Sequence, residues 1–193
     1  MGDTMRVGKR AAIIGALAAT LLTAAPAAVA DGRDTWLRVT LEKGHAVACQ
    51  AERDDMEVSL DLYENSVFGT HVSLSVEADG QQYGGGGPVE RGLFDRGVIS
   101  GQVAYSRLEG AAADQQFARV QGSYKASGPR VRVRDVHPEP WGKVVTNGWR
   151  TPLAAEVTVH VLGRQVRLTC GEAFAFDLRV TRVGDPGTDQ RTR

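Results

Sequence analysis

The chain contains little that would name a chemistry. It has two cysteines, 6% aromatic residues, four lysines among 23 basic residues and no net charge. The charge balance gives no electrostatic case for nucleic acid or an anionic membrane as partner. Two cysteines 121 positions apart exclude a C-x-x-C redox pair and fall short of a zinc ligand set. Several catalytic and cofactor signatures are missing: G-x-S-x-G, H-E-x-x-H, an EF-hand loop, a phosphate-binding G-x-x-x-x-G-K and a G-x-G-x-x-G between strand and helix. No cofactor and no metal are expected. After residue 30 there is no long apolar run, so no stable membrane insertion is expected of the mature chain. Nor is there a convincing helical period. Single helical turns fit only at Ala111 to Gln116 and Val89 to Asp95. The excess of arginine over lysine, with abundant Ala and Gly, points to a high-G+C bacterial genome, which concerns codon usage rather than mechanism.

What is present begins with an export signal. Arg6, Lys9 and Arg10 form a basic n-region. Ala11 to Leu22 is an uncharged h-region, and Ala28-Val29-Ala30 supplies the A-x-A pattern read by signal peptidase. Residues 1–30 are therefore expected to be a cleavable signal peptide. An uncleaved anchor would need about 20 predominantly apolar residues, and this run is shorter and Ala-rich. No cysteine follows the cleavage point to carry a lipid, and Lys9-Arg10 is not the Arg-Arg pair of the twin-arginine route. Asp3 is out of place in a basic n-region, and a start at Met5 would leave a cleaner one. The signal takes Arg6, Lys9, Arg10 and Asp3 with it, which leaves 20 basic and 22 acidic residues in the mature chain. The destination is extracellular or the cell envelope. That compartment is oxidising, so Cys49 and Cys170 are expected to form a disulfide. Closing a loop of about 120 residues is worth up to about 5 kcal/mol in the chain-entropy model.

The dominant pattern of the mature chain has period two. Leu37, Val39 and Leu41 alternate with Trp36, Arg38 and Thr40. The same alternation recurs over 45–51, 58–63, 72–77, 99–106, 119–124, 130–134, 156–161, 165–170 and 174–181. One apolar and one polar face per strand argues for antiparallel sheets rather than helix-covered parallel ones. Glu42-Lys43-Gly44, Asp79-Gly80, Asn147-Gly148 and Leu162-Gly163-Arg164 read as turns between strands. Gly84 to Gly87 reads as a flexible connection. The expectation is one all-β domain over residues 31–183, an antiparallel β-sandwich of about ten strands, with a closed or partly open β-barrel as the alternative. Cys49 would lie on the second strand and Cys170 on the ninth. The bridge suits either terminal strands packed face to face or a barrel closed through its first and last strands. Residues 184–193 lack apolar content and read as a disordered tail. An immunoglobulin domain would place a Trp between two closer cysteines. A lipocalin would have Gly where Asp34 stands before Trp36. No family pattern is matched.

Candidate sites are few. His137-Pro138-Glu139-Pro140-Trp141-Gly142, with Trp149 after Asn147-Gly148, reads as a binding loop in which Trp141 and Trp149 flank a Pro-stiffened segment. Capping of the core by both rings is the competing reading. Asp54, Asp55, Glu57, Asp61 and Glu64 form an acidic cluster, and the histidines are His45, His71, His137 and His160. Hydrolysis would need carboxylates or a His to converge, which alternation alone does not establish. Arg130, Arg132 and Arg134 form a basic stripe suited to an anionic partner or to blunting a sheet edge. The sequence therefore reads as a secreted, non-catalytic β module whose partner is an extracellular protein, a glycan or other polymer, or a small ligand. A secreted hydrolase with a dispersed carboxylate/His site and a structural envelope component are the alternatives.

Overall fold

The computed structural model describes residues 35–53, 55–89, 92–108 and 115–184. The expected signal peptide (1–30), positions 111–114 of the first suggested helical turn and residues 185–193 of the expected tail lie outside them. The described chain is all-β, a ten-stranded antiparallel sheet. Its strands are β1 (Trp36–Arg53), β2 (Met56–Asn65), β3 (Gly69–Ala78), β4 (Gln81–Val89), β5 (Phe94–Asp95), β6 (Val98–Arg107), β7 (Gln116–Ala126), β8 (Val131–Glu139), β9 (Gly142–Val161) and β10 (Arg164–Gly184).

Neighbours in sequence are neighbours in the sheet. The order runs β1-β2-β3-β4-β6-β7-β9, with β5 short against β6 and β8 outside β9. β10 pairs with β9 on one side and β1 on the other, so the path of hydrogen-bonded strands returns to its start. The alternating residues of these strands build the core. Val58, Leu60, Leu62, Val76, Val120, Val157 and Val159 are fully buried on the shared apolar face. Each such side chain contributes about 1.5–3 kcal/mol by leaving water.

Cys49 and Cys170 are bonded, as expected. They stand directly opposite each other on adjacent, hydrogen-bonded β1 and β10. The bridge thus joins the first strand to the last edge to edge, not across two packed layers.

The number of strands matches the sequence expectation, but its segmentation does not. Glu42-Lys43-Gly44 is no turn; it lies within the single 18-residue β1. Gly44 is needed there because a Cβ would overlap the carbonyl oxygen of Glu64 on β2. Likewise 165–170 and 174–181 belong to one strand, β10, joined through a register shift around Gly171. That shift changes which parity faces the core: Val166 and Leu168 are core, then Ala173. Phe174, Phe176 and Val180 therefore lie on the reverse face. Asn147-Gly148 is also no hairpin turn but the middle of β9, where a Cβ at Gly148 would collide with the carbonyl oxygen of Asp177. Gly84 to Gly87 is strand β4 rather than a flexible connection. Side chains at Gly85 and Gly86 would strike the carbonyl oxygens of Ala104 and Val72 on the two neighbouring strands. In place of the second helical turn, Val89 ends β4 and Phe94-Asp95 form β5. Gly184, assigned to the tail, closes β10 opposite Trp36. The hairpins at Asp79-Gly80 and Leu162-Gly163 are as expected, with left-handed φ of 52° and 69°, and of 50° and 72°.

Candidate functional site

Four strand segments run side by side past the reach of β2 and β7. They are 131–139 of β8, 142–150 of β9, 176–184 of β10 and the first part of β1. Residues directly opposite in a ladder share a face, so the registers define this sheet row by row. On one face the rows are Leu37–Val183–Lys143–Pro138, Val39–Thr181–Val145–Val136, Leu41–Arg179–Asn147–Arg134 and Lys43–Asp177–Trp149–Arg132. This is the same parity that buries Val47 and Cys49 further along β1, yet none of the sixteen side chains is buried. Leu37 is 65% exposed, Leu41 68% and Trp149 43%. The face carries five cations and one carboxylate, Asp177, which Lys43 meets at 3.5 Å. The Arg130 guanidinium sits 5.3 Å from the centre of the Trp149 ring, within cation–π range.

The reverse face is packed around Glu42, Phe176 and Val180, while its β8 part is largely exposed. Glu42 is only 6% exposed. Its carboxylate accepts hydrogen bonds from Thr40 Oγ1 (2.7 Å), Asn65 Nδ2 (3.0 Å) and Arg182 Nη2 (3.3 Å). Burial works to raise its pKa, and these donors together outweigh it and hold the group below the usual carboxylate value. Tyr63 stacks on Phe176 at 5.9 Å, and Arg182 lies over the Phe68 ring at 5.5 Å. At the tip Trp36 stacks on Trp141, with ring centres 5.3 Å apart.

The two tryptophans of the expected binding loop are thereby separated. Trp141 lies in the turn between β8 and β9 and packs on the reverse face with Trp36. Trp149 lies mid-strand on the open face. The basic stripe stays together: Arg132 and Arg134 are on β8, which among the described residues pairs with β9 alone and so forms a sheet edge, and Arg130 lies over Trp149. Both features flank the same open surface, and that surface is the one sequence reasoning missed. Only the register of β1 against the distant, consecutive strands β8, β9 and β10 assembles it.

The four candidate histidines lie on four different strands, β1, β3, β8 and β9, and His45 and His137 each have a carboxylate nearby. His71 on β3 contacts the Phe68 carbonyl at 3.2 Å. His160 on β9 stands between Arg119 and Gln165. His137 approaches Glu139 at 3.8 Å on an exposed edge. Asp55 is held by Arg164 through two bonds of 2.8 and 3.2 Å, and Glu57 lies between Glu52 and Glu77 in a cross-strand row. Asp61 is exposed on β2 opposite Ser73, and Asp54 lies outside the described residues. Among the described residues no group of three or more His, Cys, Asp or Glu could hold a metal. Sequence reasoning did not foresee the placement of His45 and Glu64. His45 Nδ1 lies 4.0 Å from Glu64 Oε1 on the core-facing side, too far for a hydrogen bond. The His45 ring stacks on Phe94 at 4.8 Å and meets Tyr124 edge-on at 5.1 Å. Glu64 Oε2 accepts from the Leu93 backbone N–H at 3.0 Å. Burial lowers the His45 pKa, opposed by the Glu64 charge. With Phe94 and Tyr124 against its ring, the His45 imidazole packs on the segment before β6.

A cleft of about 890 Å³ opens where β4 and β6 part after pairing only from Tyr83 to Gly85. Gly86, Pro88, Gln102, Phe117 and Arg119 are among its lining residues; neither tryptophan, no histidine and no carboxylate is among those described.

No family model, no curated protein and no solved structure matches this chain.

Proposed function

We propose that the mature chain is an exported, non-catalytic binding module that engages an anionic, partly apolar extracellular partner. In this reading eight strands, β1 to β4, β6, β7, β9 and β10, form a closed β-barrel. The return of β10 to both β9 and β1 supports a barrel over the sandwich, whose two sheets would keep open edges. The Leu and Val side chains that fill the core support a scaffold rather than an interior ligand carrier. The Ala28-Val29-Ala30 cleavage pattern and the Cys49–Cys170 bridge support export to an oxidising compartment. The observation that carries the proposal is the open face of the β8-β9-β10-β1 sheet, where Leu37, Leu41 and Trp149 are solvent-exposed beside five cations. Soluble proteins rarely expose contiguous apolar surface without a partner for it.

The test is adsorption of purified residues 31–193 to the envelope fraction of the source cell. The double variant Arg132→Glu/Arg134→Glu is compared with Glu77→Gln on the polar face of β3. The wild type and Glu77→Gln should bind equally, and the double variant roughly tenfold less or weaker. Equal binding by the double variant overturns the reading.

A second reading, a small-ligand site, is favoured by the cleft between β4 and β6. It predicts that Gln102→Ala or Arg119→Ala removes ligand-induced thermal stabilisation in a metabolite screen.

A further inference from the structure

We propose that the open face of the β8-β9-β10-β1 sheet docks flat on a lipid bilayer carrying anionic headgroups. The inference rests on the reading of that face as the binding surface and names its partner. The mature chain as a whole is slightly acidic, with 20 basic and 22 acidic residues, and that balance hides the face. Five cations project from it against the single carboxylate of Asp177. The reverse side of the same sheet mixes signs evenly, with Arg38, Arg150 and Arg182 against Glu42, Asp135 and Glu139.

Charge and apolarity are also ordered along the strands. The two rows at the tip are mainly apolar, with Leu37, Val183, Pro138, Val39, Val145 and Val136 beside Lys143 and Thr181. The next two rows hold Arg179, Arg134, Lys43 and Arg132 around the half-exposed Trp149. A second copy of this chain is a poor occupant, because a symmetric contact would set five cations against five. A soluble polyanion would pair with the arginines but leave Leu37 and Leu41 in water. A bilayer surface accepts both classes. Leucine and valine enter the boundary between headgroups and acyl chains, tryptophan favours that interface, and Arg and Lys reach the phosphates. The contact is peripheral; no strand crosses the membrane in this proposal.

Flotation with large unilamellar vesicles tests it. One set is phosphatidylcholine alone, the other contains about one quarter phosphatidylglycerol. The mature protein should float with the anionic vesicles only, and its tryptophan emission should shift to the blue. Arg132→Glu/Arg134→Glu should lower partitioning by tenfold or more, since each basic residue near an anionic surface contributes about fivefold. Leu37→Ser/Leu41→Ser should lower it by a similar factor with unchanged melting temperature, because both side chains are exposed. Absence of binding to anionic vesicles overturns the proposal. So does binding that the leucine variant leaves intact, which would assign the face to a soluble polyanion. If vesicles are not bound while envelope adsorption still depends on Arg132 and Arg134, the lipid inference falls and the binding face stands. If neither depends on them, both fall.

Discussion

Leu41 and Glu42 are adjacent on β1 with burial opposite to their chemistry: Leu41 is 68% exposed and Glu42 6%. The inversion follows from where β1 runs. Beyond its pairing with β2, its core-facing parity meets solvent. The other parity is covered by the turn after Asn65, whose side-chain oxygen receives the Val67 N–H at 2.8 Å while its amide donates to Glu42 at 3.0 Å. Glu42→Ala should therefore destabilise the fold by about 1–3 kcal/mol, because it removes the carboxylate acceptor of Arg182 and Asn65 and leaves them only Thr40 Oγ1 and Tyr63 Oη. Leu41→Ser should change stability by no more than about 0.5 kcal/mol. Urea unfolding of the two variants decides; a larger cost at Leu41 would mean that the faces are reversed.

That pair also marks where sequence reading succeeded and where it stopped. Alternation located nearly every strand, because a half-buried antiparallel strand must alternate. It also put Cys49 and Cys170 on the apolar parity that their bridge requires. It could not reveal that apolar parity changes meaning along one strand. Leu37, Val39 and Leu41 look like core and are surface, and Phe176 and Val180 pack on the face opposite Leu168 because the register shifts near Gly171. Strand β4 was invisible for a different reason. Glycines signal flexibility by propensity, whereas Gly85 and Gly86 are required by the close approach of neighbouring backbones. The open face was illegible because its rows join residues as far apart as Leu37 and Val183.

The Cys49–Cys170 bridge pins the first strand to the last across 121 positions. Its removal should cost about 3–5 kcal/mol, as the unfolded chain regains the freedom of a long loop. Cys49→Ala/Cys170→Ala should melt roughly 10 °C or more below the wild type. Intact mass before and after reduction should differ by about two hydrogens in the purified protein. Matching masses, or an unchanged melting temperature, would refute the clasp.

Two buried groups make the fold acid-sensitive in separate windows. Burial lowers the His45 pKa below its ordinary 6.5 against the opposing charge of Glu64. As the pH falls the unfolded chain takes up that proton first. The contribution is therefore complete above about pH 6.5 and declines as pH falls toward the lower folded value. Glu42 acts lower: against the opposing effect of burial, its hydrogen bonds place its folded pKa below 4.5. Its stabilisation is present above that value and is lost as pH falls through the folded pKa. Urea midpoints measured from about pH 8 to pH 3 should fall in both windows. His45→Phe should flatten the upper window and leave the lower one. An unchanged upper slope in this variant would place the titrating group elsewhere.

Asn147-Gly148 and Asp79-Gly80 look alike in sequence, and the structure gives them opposite tolerances. Gly80 sits in a hairpin with φ of 69°, and no heavy atom lies within 4 Å of the point a Cβ would occupy. Asn adopts that conformation at small cost, so Gly80→Asn should destabilise by less than about 1 kcal/mol. Gly148 lies mid-strand with φ of 154°, and a Cβ there meets the Asp177 carbonyl oxygen. Neither Asn nor Ala fits, so Gly148→Asn and Gly148→Ala should each cost about 2–4 kcal/mol by strain and lost pairing between β9 and β10. The same variants should loosen the sheet that holds Trp149 and raise its quenching by iodide. Were residues 147–148 a hairpin turn, Gly148→Asn would be as benign as Gly80→Asn. Thermal melts of the two Asn variants side by side separate the alternatives.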